Sequence, residues 1–223
     1  MVPGWDLPSS VAALELAELH APLIQAAVGV HPHHAAAMDE SAWRSVEALI
    51  NDPRCTAVGE IGLDFFRNLS PPVVQRAAFN RQLEMAAARN LPVLVHDREA
   101  HDEVTAALLG WVGRTSSDAR GVLHAFSGDA AIAGALTASG FLISFALPIS
   151  FRSAIGPRAA AAAVGPRTCL IETDAPFLGP DREKRNEPIT ALRVAAELAR
   201  LRSMEPQGVA DEVRASYDRL VGE

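Results

Sequence analysis

Long apolar runs, cysteine, lysine and excess positive charge are all scarce in this 223-residue chain. No apolar run approaches the ~18 residues that a membrane span requires. The opening MVPGWDLPSS has no basic stretch followed by an apolar one, so a secretory leader is not expected and the cytoplasm is the expected compartment. The two cysteines, Cys55 and Cys169, each sit beside an apolar run and form no Cys-x-x-Cys pair. That argues against a disulfide framework and for two small buried core residues. Twenty Lys and Arg stand against 27 Asp and Glu, a formal net charge of −7. Such a balance argues against a broad basic face that tracks duplex DNA, although it leaves room for a protein that draws in phosphate with metal ions. Low-complexity linkers and short repeats are missing as well, so a single domain over residues 1–223 is expected.

What is present is an alternation. Short apolar runs at 24–30, 56–58, 91–95, 121–123, 141–145 and 168–171 read as strands. Between them apolar residues recur three and four apart, as in Trp43, Val46 and Ile50, or Val209, Val213, Tyr217 and Leu220, the period of an amphipathic helix. Ser70 before Pro71 and Asp129 before the run ending at Gly140 read as helix starts. The alanine run 159–163 reads as helix. Strands alternating with helices imply βαβ units and a parallel sheet.

The polar residues fall where the strands stop. Val28-Gly29-Val30 leads into His31-Pro32-His33, Val58-Gly59 into Glu60, Leu94-Val95 into His96-Asp97-Arg98, Leu123 into His124, and Leu170-Ile171 into Glu172-Thr173-Asp174. In a parallel β/α barrel these strand ends share one mouth, where active sites are built. One such residue is more often a helix cap or a satisfied core group. Five strands ending alike call for a common partner, and a divalent cation is the simplest. Imidazole with carboxylate suits zinc, manganese, iron or nickel, while magnesium prefers oxygen alone. Glu60, with two carboxylate oxygens, is the best candidate to bridge two ions. The lysine count bears on this point. Lys184, the only lysine, lies in the polar stretch 181–186, so a barrel bridged by a carbamylated strand-end lysine is disfavoured.

With these residues in place the chain resembles the TatD family of metal-dependent deoxyribonucleases. The segments that carry the likeness are Gly29-Val30-His31-Pro32-His33, Gly59-Glu60-Ile61-Gly62-Leu63-Asp64-Phe65, Leu91-Pro92-Val93-Leu94-Val95-His96-Asp97-Arg98, His124-Ala125-Phe126-Ser127-Gly128, Glu172-Thr173-Asp174-Ala175-Pro176 and Arg185-Asn186-Glu187-Pro188. The resemblance implies an α/β fold, a TIM-type (β/α)8 barrel of the metal-dependent hydrolase kind. It implies two divalent ions, bridged by Glu60, with His96 and His124 completing one site and Asp174 holding the other ion and helping to activate water. His31 and His33 then face the substrate, Arg67 and Arg98 contact phosphate, and Asn186 and Glu187 shape the rim or order a loop. The implied reaction is hydrolysis of DNA phosphodiesters, at single strands or ends, with no membrane and no obligate protein partner.

Two departures from the family pattern stand out. No His-x-His opens the chain; Val2-Pro3-Gly4 resembles the end of a second strand. The expectation is therefore a barrel incomplete at its N-terminus, lacking strand 1 and most of strand 2, with one metal site short of ligands. Tyr217-Asp218-Arg219-Leu220 also lacks an asparagine usual in the family. The rival readings are a small-molecule metallo-hydrolase of a related barrel and a degenerate barrel without activity.

Overall fold

A computed structural model of the chain describes residues 1–116, 120–180 and 185–222, so Lys184 lies outside the described residues. The chain divides into two compact units, Met1–Val122 and Leu123–Glu223.

In the first unit β1 (Val2–Pro3), β2 (Ala26–Val28), β3 (Cys55–Asp64) and β4 (Val93–Arg98) are neighbours in chain order, and every pairing is parallel. Parallel neighbours need a crossover, supplied by α1 (Leu7–Leu19), α2 (Glu40–Ile50) and α3 (Pro72–Arg89), while α4 (His101–Trp111) follows β4. β2 is buried along its whole length, which is why its sequence reads as an unbroken apolar run rather than an alternation. α2 buries Trp43, Val46 and Ile50 as their spacing predicts, and Asp39 caps it by accepting from the Ala42 amide.

The expected cap at Ser70 is not found. α3 begins at Pro72, and no side chain caps its N-terminus. The Ser70 hydroxyl instead donates to the His33 carbonyl at 3.1 Å and accepts from the Ala36 amide at 3.1 Å. Buried completely, it serves the 3-10 turn Pro32–Ala37, whose own ends leave backbone groups without helical partners.

β5 (Gly121–Leu123) crosses the border between the units. In the second unit β6 (Phe141–Phe145) pairs in parallel with β7 (Cys169–Ile171), in register from Ile143 and Cys169 to Phe145 and Ile171. Around them lie α5 (Ala130–Ala138), α6 (Ile155–Ala163), α7 (Ala191–Arg202) and α8 (Pro206–Val221). Asp129 caps α5 through the Ala131 and Ile132 amides, as expected, and the alanine run is helical within α6. β6 is wholly buried, and its Phe141, Ile143 and Phe145 side chains each contribute about 1.5–3 kcal/mol by leaving water. α8 buries Val209 and Leu220 but leaves Val213 and Tyr217 half-buried. Both cysteines are buried and free. No helix among the described residues is long and apolar enough to cross a membrane.

Among the described residues, six of the seven strands sit on the apolar runs read from sequence. β3 is the exception in extent, running ten residues where three were expected.

Candidate functional site

The extra length of β3 changes the position of Glu60. Gly59 pairs with Leu94 and Ile61 with Val95, so Glu60 is an extra residue that β4 does not match. It is a β-bulge inside a strand rather than a residue following one, and a bulge re-aims the side chain it carries. Its amide donates to the Gly4 carbonyl at 2.7 Å. The two strands also close up tightly beyond the bulge. At Gly62, φ is 142° and an added Cβ would lie 1.9 Å from the His96 carbonyl oxygen.

Glu60 meets the end of β4. Its Oε1 lies 3.0 Å from His96 Nδ1, and the other ring nitrogen of His96, Nε2, lies 3.2 Å from Asp64 Oδ2. Asp64 also takes His33 Nε2 at 2.7 Å and the Arg67 amide at 2.7 Å. Burial alone would raise the Asp64 carboxyl, yet hydrogen bonds from His96, the Arg67 amide and His33 hold it well below the usual carboxylate range. The sequence reading passed over Asp64, although it closes the very segment that carries Glu60.

His31 completes this group. It caps the turn Pro32–Ala37, its Nδ1 accepting from the His33 amide at 3.2 Å, and its Nε2 lies 3.7 Å from Glu60 Oε1. Burial pushes its imidazole down to about 3, against the attraction of Glu60, so the ring is neutral. His31, Glu60 and His96 each offer a ligand atom, all within 4.8 Å of one another. Two imidazoles with one carboxylate fit a divalent first-row ion. The His31 cap qualifies that fit: with Nδ1 accepting, the neutral ring carries its proton on Nε2 and points a donor, not a lone pair, at Glu60. His96 stands differently, with Nδ1 facing Glu60 and Nε2 facing Asp64. If Glu60 and His96 were to hold an ion, Asp64 would be the carboxylate that orients the ligating ring.

The second unit repeats the pattern. His124 follows β5, with Nδ1 2.7 Å from Glu172 Oε1 and Nε2 3.5 Å from Asp174 Oδ1. Glu172 is anchored in turn, accepting from the Ser144 hydroxyl at 2.7 Å and the Ala125 amide at 2.6 Å. Each unit thus holds a strand-end imidazole between two carboxylates: Glu60 and Asp64 in the first, Asp174 and Glu172 in the second. Glu172, like Asp64, was not singled out from sequence. The signal was its place in Glu172-Thr173-Asp174, where only one of the two acids was weighed.

Two glutamines of α3 hold the first unit's polar residues in place. Gln75 accepts from the Asp64 amide at 2.8 Å and donates to its carbonyl at 3.1 Å. Gln82 does the same for Val30, accepting at 2.7 Å and donating at 3.1 Å. Both are fully buried, and each side-chain amide completes the backbone hydrogen bonding of a residue at or beside the cluster.

The remaining candidates divide. Arg67 is exposed beyond β3. Arg98 is exposed and places its guanidinium over the Phe66 ring, 4.9 Å from the centroid. Asn186 is buried, and its amide donates to the Thr173 and Phe177 carbonyls at 2.6 and 2.7 Å. Those bonds order the loop after β7. Glu187 is exposed at the start of the next 3-10 turn.

Comparison with known proteins shows the family and the fold. A family model described as "TatD related DNase" matches residues 1–222. The chain is 33% identical over 222 residues to the uncharacterized metal-dependent hydrolase YabD of Bacillus subtilis, covering 99% of this chain and 86% of that protein. It is 36% identical over 212 residues to the 3'-5' ssDNA/RNA exonuclease TatD of Edwardsiella piscicida, covering 92% and 80%. Among solved structures, YJJV, a TatD homologue from Escherichia coli k12, superposes with a TM-score of 0.90 at 28% identity, over 99% of this chain and 85% of that one. The expected α/β class, of the TIM-barrel type, stands on that likeness.

Proposed function

The chain belongs to the TatD-related DNase family of metal-dependent hydrolases, and from that premise we propose that it hydrolyses phosphodiester bonds of single-stranded nucleic acid at strand ends. The observation that carries this reading is the imidazole held between two carboxylates in each unit. In the first unit Glu60 and His96 would hold a divalent ion, with Asp64 orienting the ring. In the second, His124 and Asp174 offer the same donor chemistry, with Glu172 behind the imidazole. When bound, the ion supplies Lewis-acid polarisation of a phosphoryl oxygen and makes water a stronger nucleophile at neutral pH. The Asp174 carboxylate accepts the proton of the attacking water. His31, neutral and with its proton on Nε2, donates toward the phosphate, and Asp64 fixes the His33 ring beside it. Zinc, manganese, iron, nickel and magnesium are the ions to compare. The net charge of −7 suits short strands and ends better than the wrapping of a duplex.

The test is cleavage of a single-stranded oligonucleotide by the full chain, stripped with chelator and reloaded with each divalent ion in turn, beside Asp174→Asn. An amide cannot accept the proton, so Asp174→Asn is expected to lower turnover about 10²- to 10⁴-fold with an unchanged melting temperature. Chelator-resistant cleavage, or turnover of Asp174→Asn equal to that of the parent chain, would refute the assignment.

A further inference from the structure

Phe66 and Arg98 form a pair just outside the cluster of the first unit. Phe66 is 58% exposed, and the Arg98 guanidinium covers part of its ring. Arg98 closes β4 in register with Asp64, the last residue of β3, and the Phe65 amide extends that pairing by donating to the Arg98 carbonyl at 2.9 Å. His96 stands two residues before Arg98 on β4, about 7 Å back at ~3.4 Å per extended residue. Asp64 ends β3 two residues before Phe66, which lies in the turn that follows; the Asp64 and His96 side chains meet at 3.2 Å.

A single exposed phenylalanine needs no explanation. This one differs in what it touches and where it stands. A planar guanidinium lies on the ring, and a stacked arginine still presents its N–H edge to an anion. Among the described residues no carboxylate pairs with Arg98, so that edge is not spent on an internal ion pair. An exposed aromatic face beside a cation, at the strand ends that carry the polar cluster, is the combination that single-stranded nucleic acids occupy: the base stacks on the ring and the cation meets the backbone.

We propose that Phe66 and Arg98 form a base-stacking subsite for a nucleotide flanking the cleaved bond of a single strand. The proposal rests on the reading of the chain as a nuclease. Every base has a π face, so the subsite accepts any sequence. A duplex, whose bases are already stacked on one another, cannot use it. Preference for single strands then needs no broad basic face, in keeping with a net charge of −7.

Fluorescence anisotropy of a labelled oligothymidylate, measured in chelator, tests this with the full chain, Phe66→Ala and Phe66→Trp. A strand of equal length that lacks bases serves as the second probe. Phe66→Ala is expected to weaken oligothymidylate binding about 5- to 100-fold, Phe66→Trp to restore it, and the baseless strand to bind all three alike. In metal-loaded cleavage the loss falls on KM, not kcat. Equal binding of oligothymidylate by the parent chain and Phe66→Ala overturns the subsite and leaves the nuclease reading standing. An equal loss on the baseless strand overturns stacking as the cause. If the parent chain neither binds nor cleaves either strand with any ion, the nuclease reading falls and the subsite with it.

Discussion

Replacing Asp64 by asparagine is the sharpest probe of how the first cluster is held. Asp64 is 3% exposed and accepts three hydrogen bonds, from His33 Nε2 at 2.7 Å, His96 Nε2 at 3.2 Å and the Arg67 amide at 2.7 Å. Hydrogen bonds to a charged partner contribute roughly 1.5–3 kcal/mol each. In the amide one oxygen remains to serve the Arg67 N–H, but both imidazoles meet an NH2 group where Oδ2 had been. Re-optimisation recovers part of the loss, so Asp64→Asn is expected to cost about 2–4 kcal/mol, read as a lower urea midpoint at neutral pH. The second effect is on the metal. Losing the carboxylate behind a ligating histidine lowers affinity about 10- to 100-fold, measured by competition with a chelating dye. The effect of pH has a definite sign. Because the Asp64 carboxyl lies below its usual 3.8 in the folded chain, its stabilisation is present above that pH and is lost as pH falls through the lower folded value. The gap in stability between the parent chain and Asp64→Asn should therefore be widest at neutral pH and shrink below pH ~4. Metal affinity within twofold of the parent, together with a urea midpoint that does not move, would refute the role given to Asp64.

Further outcomes follow from the same structure. Gly62→Ala would set a Cβ 1.9 Å from the His96 carbonyl oxygen at a φ of 142°; β4 must withdraw, and a loss above ~3 kcal/mol with weakened metal binding is expected by denaturation and dye competition. In the second unit Glu197 takes Arg200 at 2.7 and 2.9 Å and Arg158 at 2.7 Å. The Arg200 hydrogen bonds, seconded by Arg158, hold its carboxyl down to about 2 against burial. Its contribution is present above the ordinary 4.5 and lost as pH falls through about 2. Glu197→Gln should thus lower stability at neutral pH by about 1–2 kcal/mol, discounted for the exposed Arg200, and flatten the acid limb of the stability curve; an unchanged acid limb would refute it.

Much of this molecule is legible from residue order alone. Short apolar runs mark the strands because both faces of a parallel sheet are covered, and Asp129 behaves as a cap because capping depends on residues three or fewer positions away. The strand-end acids and histidines, and the family, were likewise readable from motifs and their order. Other features depend on contacts between residues distant in sequence, and no local pattern records them. Ser70 reads as a cap but bonds to His33, 37 residues away. Gln82 carries no local mark in the sequence and completes the backbone of Val30, 52 residues away. Glu60 reads as a strand-end acid, but its place in a bulge comes from a register with β4 that only pairing can set. Asp64 and Glu172 were visible as acids, and their use became visible only with the imidazole each one faces. The physical reason is common to these cases. Propensity and periodicity act within a turn or a strand, whereas a buried polar group must find its partner wherever the packed chain supplies one.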